Sequence, residues 1–149
     1  MVKLADLITP DRIVNLKSTS KDDVLAEMVE VISKAPQVKD KKAFFQAILD
    51  RESILSTGIG LGIAVPHAKI GSVDNIVAAL GKTRKGISYG ALDDQPVNIV
   101  VMIAASDSQQ SEYIRTLARI TLLLKNEKIR QAIIQAEDAA GVYDILKEY

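Results

Sequence analysis

The sequence predicts a single α/β domain, a β-sheet with helices on both of its faces. Three observations carry this. Strand-like and helix-like segments are interleaved along the chain, the pattern of a sheet layered between helices. Val97 to Ala105 is nearly all apolar, as a central strand buried on both faces must be. The 149 residues, 48% of them hydrophobic, suffice for one core. No internal repeat, low-complexity segment or linker divides them.

Taken in order, Arg12 to Leu16 (RIVNL) reads as a short strand. Ser20 is placed to cap a helix, with Asp23 completing an approximate capping box. Val24, Leu25, Met28, Val29 and Ile32 follow at helical spacing, and Pro36 closes that helix. Asp40 can cap a second helix with Phe44, Phe45, Ile48 and Leu49 as its stripe, ending near Arg51 to Ser53. Ser56 to Gly62 (STGIGLG) is too rich in glycine for regular structure. Ile63 to Pro66 reads as a strand end, since a residue before proline prefers extended geometry. Ile76 to Leu80 and Val97 to Ala105 are the strongest strands, with a hairpin or loop from Gly86 to Asp94 between them. Glu112 to Leu124 follows as a helix with Ile114, Leu117, Ala118, Thr121 and Leu124 on one side. Two shorter helices, Glu127 to Gln135 and Ala139 to Lys147, complete the chain.

Composition excludes several functions. Lys+Arg and Asp+Glu balance at 19 each, so no global field draws in nucleic acid or an anionic membrane. Aromatic residues are only 4%, too few for a base-stacking platform. The absence of cysteine excludes disulfides and thiol chemistry, and with a single histidine no strong metal site is expected. The N-terminal stretch MVKLADLITPDRIVNL carries charges inside its apolar part, unlike a signal peptide. The longest apolar run, Ile99 to Ala105, is too short to span a bilayer. A separate cytoplasmic polypeptide is expected.

His67 is the only histidine, in GIGLGIAVPHAKI. A neutral imidazole nitrogen can attack phosphorus, and a protonated imidazole leaves readily again. That chemistry needs one ring nitrogen open and the other held by a partner that fixes the tautomer; a lone histidine that merely packs would need neither. Arg51 could hold phosphate oxygens through its planar guanidinium or simply serve as a cation at a helix C-terminus. Thr57, Gly58, Gly60 and Gly62 could form a backbone nest for an anion or a tight turn needing positive φ. Gly81-Lys82-Thr83 imitates the end of a P-loop, but Ile76 stands where its first glycine belongs. Asp93 and Asp94 belong to a turn, and Asp107 to a solvated connection.

The stretch Arg51 to His67, RESILSTGIGLGIAVPH, resembles the active-site signature of the fructose/mannitol-type enzyme IIA family of the phosphoenolpyruvate:sugar phosphotransferase system, which includes the nitrogen-regulatory IIA proteins. The opening LITPDRI, the helix beginning SKDDVL, the D-x-Q-P-V entry to the long strand and the helix containing EYIRTLARI fall in family order. The resemblance implies a mixed sheet flanked by helices. It implies that His67 takes a phosphoryl group from phospho-HPr and passes it to a IIB component, with Arg51 stabilising the phosphate. The alternative within the family is a regulatory module whose phosphorylation state controls binding to a target protein. No cofactor is implied. Tyr113 departs from the pattern, standing where many members have a second histidine. Lys69 could add positive charge near His67 or be a solvated surface lysine. Ile59 and Leu61 could line a docking surface or pack under their loop.

Overall fold

The computed structural model describes residues 3–149, so the first two residues of the N-terminal stretch lie outside it. Six strands form one mixed sheet: β1 (Ile13–Asn15), β2 (Gly58–Gly60), β3 (Ile63–Ala64), β4 (His67–Lys69), β5 (Val77–Ile87) and β6 (Val97–Ala105). The order is β1-β5-β6-β3-β2, with β4 also paired to β6. Pairs β1–β5, β3–β6 and β4–β6 are parallel, while β5–β6 and β2–β3 are antiparallel. The helices are α1 (Leu4–Leu7), α2 (Lys21–Ile32), α3 (Lys41–Ile54), α4 (Gln110–Leu124), α5 (Glu127–Gln135) and α6 (Ala139–Leu146).

The predicted caps form. Ser20 Oγ accepts the amide of Asp23, and Asp40 accepts that of Ala43. Strand alternation then splits the core into two layers. Val100, Met102 and Ala104 of β6 face α2 and α3, packing with Met28, Ile32, Phe44 and Ile48. Ile99, Val101, Ile103 and Ala105 face the other way, onto Ile120, Leu124, Ile133, Val142 and Leu146 of the C-terminal helices. A strand whose side chains alternate between two cores must be apolar throughout, which explains the run at Val97 to Ala105. Among the described residues no helix is long and apolar enough to cross a membrane.

Four readings need correction. The strand at Arg12 to Leu16 shrinks to Ile13–Asn15, because Arg12 ends a short 3-10 turn. The strand from Ile76 runs on to Ile87, through Gly81-Lys82-Thr83; Lys82 is buried and bonds the carbonyls of Ile134 and Ala136 at the end of α5. The glycine-rich segment is regular after all: β2 and β3 make a tight hairpin. In α4, Tyr113, Thr116, Leu117, Ile120 and Leu124 turn inward, while Ile114 and Ala118 are exposed. Two apolar stripes one residue apart both fit the helical period, and packing against the sheet selects between them.

Candidate functional site

The site begins at a break in one strand. β3 and β4 pair successively with the same side of β6, at Ile99–Val100 and then at Ile103–Ala105. Between them lie Val65 and Pro66, and proline has no N–H for the ladder. The register with β6 is the same on both sides of them, and Val65 directs its polar groups away from β6. Its N–H donates to the Thr57 carbonyl at 3.0 Å. Its own carbonyl meets Nδ1 of His67 at 2.7 Å. A carbonyl only accepts, so Nδ1 carries the proton and Nε2 keeps the lone pair.

His67 is half-buried on the face covered by α4. The Tyr113 ring stands edge-on to it, with centroids 5.6 Å apart and planes at 61°. Burial lowers the His67 pKa from its ordinary 6.5; the Val65 bond works against this, Arg51 adds to it and Glu52 opposes it. The ring is thus neutral at neutral pH. Burial raises Tyr113 to about 12, with Arg51 pulling the other way, so its phenol is a neutral donor.

Arg51 and Glu52 occupy the last turn of α3 and diverge. Arg51 is partly exposed and donates from Nη1 to the Leu55 carbonyl at 2.9 Å. Its charge reaches both His67 and Tyr113. Glu52 is buried. Its carboxylate pairs with Lys21 Nζ at 2.8 Å. It also accepts the Thr57 amide at 3.2 Å, the Thr57 hydroxyl, and the Tyr89 hydroxyl at 2.9 Å. Burial drives this carboxyl up, but the bonds from Lys21, Thr57 and Tyr89 outweigh it and hold it below its ordinary value.

The fold thus gathers three of the residues singled out in the sequence, His67, Arg51 and Tyr113. In the glycine-rich segment several amides are turned to other bonds. The Thr57 amide is taken by Glu52, the Gly58 amide by Ser56 Oγ and the Leu61 amide by Asp93. Gly58 is needed for close approach: a Cβ there would lie 2.7 Å from the Ala91 Cβ. Gly60 and Gly62 turn the hairpin at φ of +99° and +76°, a conformation that favours glycine. Lys69 lies on the same face of β4 as His67 and bonds Gln110. Asp93 closes its turn on the Gln95 amide. Ile59 and Leu61 are on the outside, 40% and 55% exposed. Sequence reasoning missed Glu52, Lys21 and Tyr89 as neighbours of the site; the only signal was the Arg-Glu pair within the motif. Among the described residues no three His, Cys, Asp or Glu side chains gather into a metal-binding group.

The family model described as "Phosphoenolpyruvate-dependent sugar phosphotransferase system, EIIA 2" matches residues 6–149. The chain belongs to this family. The EIIA 2 chain is 41% identical over 149 residues to the fructose-specific EIIABC component of the phosphotransferase system of Bacillus subtilis, covering 99% of its own length and 24% of that protein. It is 30% identical to a nitrogen regulatory protein of Bradyrhizobium diazoefficiens, covering 96% of its own length and 94% of the relative. Its fold matches the crystal structure of nitrogen regulatory protein IIA-Ntr from Neisseria meningitidis with a TM-score of 0.89 at 22% identity, over 96% of this chain and 98% of that one. The resemblance read from RESILSTGIGLGIAVPH and the expected mixed sheet are both borne out.

Proposed function

We propose that this EIIA 2 domain is a cytoplasmic phosphoryl carrier that accepts phosphate from phospho-HPr on Nε2 of His67 and passes it to a IIB component. The observation that supports it is the bond from His67 Nδ1 to the Val65 carbonyl, which leaves Nε2 as the free, unprotonated nucleophile. In the first transfer an N–P bond forms at Nε2 while the donor's N–P bond breaks, and the electron pair returns to the donor ring. The proton stays on Nδ1, hydrogen-bonded to the Val65 carbonyl, so the phosphorylated ring is cationic and leaves readily in the second transfer.

Such a transfer needs positioning and charge stabilisation. Arg51 is the cation for the phosphate oxygens, free to turn from the exposed Leu55 carbonyl. Tyr113 adds a neutral donor beside the ring. The Thr57, Gly58 and Leu61 amides are not part of this cradle, because Glu52, Ser56 and Asp93 occupy them. The exposed Ile59 and Leu61 are the apolar part of the surface that receives the partner.

A regulatory module remains the second reading. It is favoured by Tyr113 in place of the family's second histidine and by the similarity to a nitrogen regulatory protein. The first test is intact-mass spectrometry after incubation with phosphoenolpyruvate, enzyme I and HPr at neutral to mildly alkaline pH. A gain of one phosphoryl group, absent in His67→Ala, is expected. Labelling that survives His67→Ala, or none with a competent donor, would sink the carrier reading. Capture of a IIB component by the phosphorylated form favours relay, and capture of a non-transport protein by one form favours regulation.

A further inference from the structure

We propose that Glu52 is a positioning residue for His67, acting through Thr57 and Val65 to aim the carbonyl that holds the Nδ1 proton. The route is continuous. Glu52 grips Thr57 at both its amide and its hydroxyl. The Thr57 carbonyl takes the Val65 N–H at 3.0 Å, and the Pro66 carbonyl takes the Ile103 N–H at 3.0 Å. Val65 is thus held on both sides of the break in the strand, and its carbonyl is left pointing at the imidazole. Pro66 makes the device necessary, since the β6 ladder cannot fix this peptide.

A buried carboxylate could equally serve only to join α2, α3 and the segment after β5. Its donor set argues for more. Lys21 from α2, the Thr57 amide and hydroxyl, and the Tyr89 hydroxyl all converge on it. Tyr89 also bonds Thr57 at 3.0 Å, and Lys21 lies 4.8 Å from the centre of the Tyr89 ring. Two of these four donors belong to Thr57, the residue that controls Val65. An amide in place of the carboxylate would offer one acceptor oxygen and two N–H groups to the same donors, so even Glu52→Gln loosens the grip. Among the described residues, the charges that act on His67 are those of Arg51 and Glu52 from α3, Tyr113 of α4 stands against its ring, and Lys69 lies on the same face of β4, bonded to Gln110.

His67 is the only histidine, so the imidazole nitrogens of uniformly 15N-labelled protein give one unambiguous set of signals. In the wild type the neutral ring is expected as the Nδ1–H tautomer. In Glu52→Gln the tautomer ratio is expected to shift roughly five-fold toward Nε2–H, as the loss of one ordinary hydrogen bond would produce. Phosphoryl acceptance should fall about ten-fold as the nucleophile loses its alignment. Thr57→Ser keeps both contacts and should restore the wild-type tautomer, while Thr57→Val, lacking only the hydroxyl, should lie between. If Glu52→Gln does not fold, the Thr57 pair carries the test. A folded Glu52→Gln, or failing that a folded Thr57→Val, with an undisturbed Nδ1–H tautomer overturns the proposal whatever the rate does. So does a wild-type ring that is not Nδ1–H. The effect on transfer rests on the carrier reading, but the tautomer is read on unphosphorylated protein. A shifted tautomer in a protein that HPr does not phosphorylate would therefore sink the carrier reading alone.

Discussion

Arg51→Ala separates a role in chemistry from a role in the fold. The side chain makes one bond to the protein, to the Leu55 carbonyl at the exposed end of α3. Losing a cation from a helix C-terminus costs about 0.3–1 kcal/mol, which in a chain of this size moves the melting temperature by a few degrees at most. A charge-assisted bond from it to a phosphate would be worth about 1.5–3 kcal/mol, or about 10- to 150-fold in rate. Arg51 is partly exposed, so screening places the expected loss near the lower end, about 10- to 30-fold, and shrinks it as salt rises. A second signature comes with the first: Arg51 depresses the His67 pKa, so its removal should raise that pKa toward 6.5. Arg51→Lys should restore the pKa but only part of the rate, since the planar fork is lost. Rapid-quench transfer from labelled phospho-HPr measures the first effect, and NMR titration of the sole histidine the second. A rate within two-fold of wild type together with an unmoved pKa would refute the reasoning.

Three further outcomes follow from the same geometry. Burial holds His67 below 6.5 when folded, so the unfolded chain binds more protons as pH falls, and stability present above 6.5 is lost as pH drops through the depressed value; denaturant titrations of wild type and His67→Gln should diverge in that direction. Acceptance should fade across the same window, as the neutral nucleophile is protonated. Gly58→Ala would force a Cβ to 2.7 Å from the Ala91 Cβ and 2.8 Å from its Cα, costing about 1–3 kcal/mol; an unchanged urea midpoint would contradict the close-approach account. Tyr113→Phe keeps the ring against His67 and removes the phenol donor, so acceptance followed by intact mass should fall roughly five-fold, whereas an unaltered time course would remove Tyr113 from the site.

How much was legible differs from element to element. Val97 to Ala105 was readable because a strand shared by two cores admits no polar alternation. The caps at Ser20 and Asp40 were readable because capping is local. The stripe of α4 was not, since Tyr113 and Ile114 satisfy one period equally well and only the sheet beneath distinguishes them. The glycine-rich segment gave the wrong picture because its hairpin is closed by distant Asp93 and Ala91.

The sequence by itself determined the layered α/β class, the lone imidazole as the candidate reactive group, and the family, through a motif whose residue types and spacing are local. Only the tertiary structure decided which ring nitrogen is free, that Tyr113 stands against the His67 ring within reach of the Arg51 charge, and that the Thr57 amide and hydroxyl bond Glu52. The reason is physical. Residue type and periodicity act between neighbours in the chain, whereas a tautomer, a depressed pKa and a buried carboxylate are set by burial and by partners that folding brings from α2, α3, α4 and the segment after β5.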